Sequence, residues 1–512
     1  GWELQSEEFV HDKEKKLFKY KNSWLKIFDK KVAFFPFFSH PDPTVKRKSG
    51  FLTPVYGTST NFGSWVNTPY FKVISDDKDL TFNPRMYADD KIILQSEYRQ
   101  AFEDGNFISD FSFNNDGKNT NTHLFANYSG ELSPKTKINF QYQDVTNDNY
   151  LKLHNLSNSS LIIGSESLLT NQLNINKNID ENTKLETNFT VYEDLSKKDS
   201  DRFQYIFPDF NFRKNLLIPE DYNGNFSFTS SGHQKNYDTN KYESLIINDF
   251  LFASNDIVSD KGLLNNYNFL IKNFNSYAEN SSSYSDKEDY EVFGTFLLKT
   301  SYPLKKIKEN STDYLKPVMA IKYSPNNTKN ISNKDLRLDY NNIFSLNRIG
   351  TDSFVEGGES ISLGLEFRKR NFENEDIFGF NIANSLSSSK NSNLPSKSKL
   401  DQTRTDIVGN IFYSPISNLN LDYTFSYDRD LDFSNYDSIG AGLNFDNLIT
   451  SFDYRTENHE LGNSETISNS TRLYFDDENS LQFDSTKNLK DDFTEYYNLI
   501  YAYETDCLIA TA

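Results

Sequence analysis

The chain has 512 residues, a formal net charge of −19 and 15% aromatic residues, including 44 Phe and 31 Tyr, yet its mean hydropathy is −0.69. Chains that are polar and aromatic-poor stay disordered, so this aromatic content implies a folded protein that deploys its apolar groups sparingly. The acidity excludes nucleic acid as a partner, because phosphate binding needs clustered Lys and Arg, and the lack of any run of about 18 apolar residues excludes a membrane-spanning helix while leaving a transmembrane β-barrel open.

Residues 1–35 contain WELQSEEFV, LFKY, NSWLKIF and VAFF, short strand-like runs between tight charged turns. They read as the last rungs of a water-soluble β domain that begins upstream. Gly1 opens without a charged and apolar leader, so a signal peptide is either absent or was removed together with more of the N-terminus. Residues 36–49 then form a proline-rich junction in which Pro36, Pro41 and Pro43 each fix φ and remove a donor, ahead of Gly50. GFLTPVYGTST should be the next strand and SWVNTPYFKVI the one after it. Each carries a proline, Pro54 and Pro69, where a ladder hydrogen bond must be lost.

From Gly50 onward, period-two segments recur at intervals of roughly 20 residues, which corresponds to about 23 strands over the whole stretch. KINFQYQ sets Ile138, Phe140 and Tyr142 against Asn139, Gln141 and Gln143, and ISLGLEF sets Ile361, Leu363, Leu365 and Phe367 against Ser362, Gly364 and Glu366. NLNLDYTFSYD repeats the pattern from Leu419 to Asp428. The polar tracts between these segments alternate between short and long, as they do on the two rims of an outer-membrane barrel. A soluble β-sandwich also alternates, but a strongly polar face opposite a Tyr- and Phe-rich one fits a water-filled lumen and a lipid-facing wall better.

The stretch FFPFFSHPDPTVKRKSGFLTP, with LQSEYRQAFEDG, YLKPVMAIKYSP, VEGGESISLGLEFR, DIVGNIFYSPISNLNLDY and YNLIYAYETDCL in that order, resembles the LptD (OstA) family of lipopolysaccharide-assembly outer-membrane proteins. The resemblance implies an all-β fold: a large antiparallel transmembrane β-barrel of about 24–26 strands in the complete protein, preceded by the last rungs of a periplasmic β-jellyroll. In that scheme residues 1–35 end the jellyroll, 36–49 are the junction, and 50–512 are the barrel without its C-terminal strands. It further implies a cell outer membrane location in a Gram-negative bacterium. There lipopolysaccharide would arrive from a periplasmic jellyroll bridge protein of the LptA type and leave sideways into the outer leaflet between the first and last barrel strands. Pro54 and Pro69 would mark this lateral gate, an LptE-type lipoprotein would plug the lumen, and outer-membrane lipids would surround the wall. The Asp-Arg pair of many family members is replaced by Asp352-Ser353.

Lys46, Arg47 and Lys48 are candidate lipid-phosphate contacts, with a solvated interfacial clamp as the plainer role. Cys507, the single cysteine, matches a family cysteine whose disulfide partner would lie outside this segment. Neither a catalytic residue nor a metal or cofactor is implied, because the six histidines are scattered and no nucleophile or phosphate-loop motif is present. The competing functions are a passive or ligand-gated outer-membrane channel and, further off, a secreted β-rich glycan-binding protein.

Overall fold

The computed structural model describes all residues except 1, 28, 60, 90, 116–119, 155, 157–160, 162–166, 429, 433, 459–462, 506, 507 and 512. Cys507 therefore lies outside the described residues. The N-terminal runs form an antiparallel three-stranded sheet of β1 (Trp2–Asp12), β2 (Leu17–Ile27) and β3 (Lys30–Pro41). Cross-strand aromatic contacts hold it: Phe9 lies 5.1 Å from Tyr20, and Tyr20 lies 5.8 Å from Phe38 and 5.5 Å from His40. Pro36 and Pro41 fall inside β3, so the sheet runs six residues past the boundary expected at residue 35. Among the described pairings β3 meets only β2, and an edge strand tolerates absent donors.

By contact clustering the chain divides into two compact units. The first comprises residues 1–211, 233–244 and 278–283; the second comprises 212–232, 245–277 and 284–512. The first unit continues with β4 (Gly50–Phe51), β5 (Val55–Ser59), β6 (Gly63–Asn67), β7 (Tyr70–Ser75), β8 (Lys78–Tyr87), β9 (Ile92–Phe102), β10 (Gly105–Asn115), β11 (Thr120–Ser133) and β12 (Thr136–Val145). After the five-residue helix α1 (Tyr150–His154) come β13 (Leu168–Asp180) and β14 (Thr183–Asp194). From β8 to β14 each strand pairs antiparallel with the next. In the second unit a further antiparallel series runs from Leu264–Glu279 to Phe493–Thr505. Its connections are short at one end (417–418, 446–447) and long at the other (325–357, 388–406).

The distribution of side chains inverts that of a water-soluble sheet. In strand Gly358–Asn371, Ile361 and Leu363 are 42% and 49% exposed, whereas Ser362 between them is 3% exposed. Phe140 and Tyr142 of β12 are exposed while Gln143 is buried. Alternation along each strand repeats this on strand after strand, producing apolar surface far beyond the few hundred Å² that a monomer shows to water. Such a surface is stable in contact with lipid.

The opposite face is not uniformly polar. Leu270, Phe274, Phe293, Leu297 and Val318 point to the same side as Lys272 and Ser276, and they bury Ile331, Leu338, Ile343, Phe344 and Ile349 of the 325–357 connection. The water-filled face expected from sequence is, over these strands, the seat of a packed loop.

Placing a charge on the exposed apolar face checks this orientation. Leu363→Arg, near the middle of its strand, is expected to destabilise the folded protein in bilayers by about 2–4 kcal/mol, measured by denaturant titration of tryptophan fluorescence. Leu363→Phe should be close to neutral.

Candidate functional site

The junction is a structured corner. Asp42 accepts from Thr44 N and Thr44 Oγ1 at 2.9 and 2.8 Å, and its carbonyl accepts from Val45 N at 2.9 Å. This is an Asx turn in which Pro43 supplies the preset φ. His11 Nε2 lies 2.8 Å from Asp42 Oδ2, and Asp42 N donates to Lys16 O at 2.9 Å, so the turn is fastened to the β1–β2 sheet. The hydrogen bonds from Thr44, together with His11, hold the Asp42 carboxyl below its usual range.

The basic triplet divides its roles. Arg47 pairs with buried Asp79 of β8 and donates to Asp76 O at 2.8 Å, and Arg99 Nε of β9 reaches the same carboxylate at 2.9 Å. Two guanidiniums on one carboxylate tie the junction to the third and fourth barrel strands. Lys48 Nζ donates to Lys15 O at 3.4 Å, while Lys46 is exposed.

Pro54 and Pro69 lie between strand segments. β4 and β5 are separated by Leu52–Pro54, and β6 and β7 by Thr68–Pro69. Phe51 opposes Tyr70 and Val55 opposes Asn67, so four steps along the first strand face three along the second, a one-residue bulge. Leu52 N donates to Pro69 O at 2.8 Å, but Pro69 has no N–H to return to Leu52 O. The third strand repeats the defect: Thr68 N donates to Pro84 O at 3.4 Å, and Pro84 cannot reciprocate. Side chains of the first strand stand open, with Phe51 80% and Tyr56 86% exposed.

At its other end this hairpin meets α1, which the sequence reading did not anticipate. His154 stacks on Phe62 of the β5–β6 turn at 4.9 Å and 15°, Tyr87 packs edge-on against the same Phe62 at 5.3 Å, and Arg85 donates to His154 O. Behind α1, Tyr150 OH lies 2.8 Å from Ser112 Oγ, which is 2.6 Å from His123 Nδ1, with Asp110 Oδ1 3.3 Å from His123 Nε2. Ser, His and Asp are the reagents of a hydrolase. Here each is at most 2% exposed, so they hold a helix against a wall.

In the second unit the 325–357 connection is locked by Arg348, whose Nε and Nη2 reach the two Glu356 oxygens at 2.7 and 2.6 Å, and by Lys322 Nζ, 2.8 Å from Oε2. The expected site for an arginine, beside Asp352, is empty of one; Arg348 lies four residues earlier in sequence. Burial favours the neutral acid, but Arg348 and Lys322 prevail and lower the Glu356 pKa to about 2.

These two anchors should respond differently to acid. Burial, with Arg85 and Lys91 adding repulsion, lowers the His154 pKa to about 4. The unfolded chain therefore binds more protons from about pH 6.5 downward, and His154's contribution is full above that pH and lost as pH falls towards 4. Glu356, depressed to about 2, retains its ion pairs throughout that window. Hydrogen exchange at pH 7 and 4.5 is expected to show faster exchange in 150–154 at the lower pH, corrected for intrinsic rates, with 343–356 unchanged.

A family model described as LptD, LPS transport system D, matches residues 119–488. The LPS-assembly protein LptD of Shewanella denitrificans is 27% identical over 247 residues, 46% of this chain and 31% of that protein. That of Nitrosococcus oceani is 29% identical over 179 residues, 34% of this chain and 24% of that protein. The chain thus spans less than a third of the length of these curated relatives. Among solved structures, copper transporter OprC aligns over 95% of this chain and 80% of its own at 8% identity and a TM-score of 0.30. BauA, the ferric preacinetobactin receptor from Acinetobacter baumannii, aligns over 97% and 83% at 10% identity and 0.30. With a family match over most of its length and an apolar outer face suited to lipid, the chain belongs to the LptD family and is an outer-membrane β-barrel protein.

Proposed function

We propose that the chain assembles lipopolysaccharide into the outer leaflet by lateral release at its first strands. The single observation that carries this reading is the faulted ladder at Pro54, Pro69 and Pro84, where a one-residue bulge and two missing donors coincide across three consecutive strands. In hydrocarbon an unsatisfied backbone group costs several kcal/mol, so a wall that carries such defects on adjacent strands is easiest to part there.

The chemistry of the substrate favours a side exit. Each acyl methylene drawn through a polar interior would forfeit about 0.8 kcal/mol. A parted wall keeps acyl chains in lipid and glycan in water. The β1–β3 sheet, fastened to the corner at Asp42, is suited to pass acyl chains from a periplasmic jellyroll bridge of the LptA type, and an LptE-type lipoprotein is the proposed lumen partner. Lys46, exposed beside the Arg47 clamp, is the member of the basic triplet best placed for a lipid phosphate. A passive channel would gain nothing from a defective wall. Transport and assembly, rather than catalysis, is the work of this family.

Restoring the missing donors tests the reading. Pro69→Val and Pro84→Val, combined in the full-length protein, supply N–H groups opposite Leu52 O and Thr68 O, each worth about 0.5–1.5 kcal/mol. Slower appearance of newly made lipopolysaccharide at the cell surface is expected, at normal protein level. If hydrogen exchange shows the two new bonds formed while delivery keeps its rate, release does not occur at this place.

A further inference from the structure

In the second unit the connections 325–357 and 388–406 enclose a cavity of about 480 Å³, within the range of roughly 300–1,000 Å³ typical of small-molecule sites. Its walls are held open before any ligand arrives. Thr328 Oγ1 accepts from Gly357 N at 2.9 Å and from Asn391 Nδ2 at 2.8 Å, and Asn393 Nδ2 donates to Thr328 O at 3.0 Å, so one buried threonine joins the two loops. A Cβ on Gly357 would collide with Asn326 O at 1.8 Å, and Gly358 sits at φ +96°. Only a glycine pair permits this wall.

The lining chooses the ligand. Ser324 belongs to the lining, and its buried Oγ has no hydrogen-bond partner, a donor and acceptor left over once the loops have packed. Lys322 pairs with Glu356 at 2.8 Å, and Arg348, which is not part of the lining, shares the same carboxylate. Glu359 and Lys390, exposed at the mouth, oppose each other in sign. The lining itself carries two cations and two carboxylates, so the surface offered to a ligand has no excess of either sign. Among the described residues no cluster suited to a metal is present, and no aromatic ring lines the space. What remains is a dense array of hydroxyl and amide groups, whose complement is a neutral molecule rich in hydroxyls.

We propose that this cavity binds an uncharged oligosaccharide segment. The inference goes beyond lateral release and does not depend on it, since the site is a standing one formed by the two connections and the strand ends that carry them.

The test is calorimetric titration of the full-length protein in detergent with maltohexaose, isomaltohexaose and mannohexaose, and with oligogalacturonate of matched length as the charged control. Saturable binding of at least one neutral hexasaccharide, tighter than the control, is expected. Ser388→Trp, which fills the mouth from an exposed position, should weaken it at least tenfold, and Ser324→Val, which removes the unpartnered hydroxyl, at least threefold. Unchanged heat-modifiability on gels identifies folded variants. The proposal is overturned if none of the neutral probes binds, if the acidic control binds more tightly, or if both folded variants bind like the parent.

Discussion

A backbone that crosses hydrocarbon has to satisfy every N–H and C=O within the protein, and most of this molecule follows from that requirement. It accounts for the strand-to-strand antiparallel pairing from β8 to β14 and through the second unit, in which register shifts are confined to single positions. It also gives a proline here more consequence than in water, where a bare carbonyl can turn to solvent. Pro36 and Pro41 are tolerated on β3, which among the described pairings meets only β2. Pro69 and Pro84 lie against neighbouring barrel strands, where Leu52 O and Thr68 O lose their reciprocal donors.

Strand periodicity was legible because consecutive residues meet different surroundings. At Ile361, Ser362 and Leu363 the chemistry alternates as sharply as lipid and interior do, and the exposure of the three side chains alternates with it. The junction was legible for a related reason: Asp42-Pro43 has one economical local conformation, and the structure adopts it. Pro84 also left a trace, since Pro54, Pro69 and Pro84 fall at equal intervals of 15 residues, the length of a strand and its turn. A strand-length spacing of prolines was the signal that the sequence reading passed over.

What was not legible depends on contacts distant in sequence. YLKLH is too short to announce a helix, since isolated helices need about 12–15 residues even to be marginal; α1 exists because Tyr150 and Leu151 bury themselves against Phe125, Leu169 and Leu195. Nothing local marks His154 as the partner of Phe62, 92 positions away. The 325–357 connection looked like solvated polar text at its start, SPNNTKNISNKD. Its apolar residues only make sense beside Phe274 and Phe293, whose own strands carry apolar and polar residues on both faces and so give no sign of which side a loop will cover. Arg348 was hidden by the same folding, because its carboxylate partner Glu356 is brought back across the turn at Gly350.

Anchors and defects in the first unit are arranged along one hairpin. At the end near the junction, the pairing of Arg47 with Asp79, shared by Arg99, fixes the chain to β8 and β9. At the other end, Phe62 is held between His154, Tyr87 and the Lys91 ammonium 4.1 Å above its ring. The missing donors lie between these two fastenings. If the whole hairpin were loose, it would fray from its tip and expose a strand edge, inviting aggregation. With both ends held, the cheapest deformation is a bowing of the middle, where bulge and prolines have already removed hydrogen bonds. Under the proposed lateral release, a passage at this place would be bounded by construction, because widening it further would require breaking the ion pairs on buried Asp79 at one end or unstacking an aromatic cluster at the other.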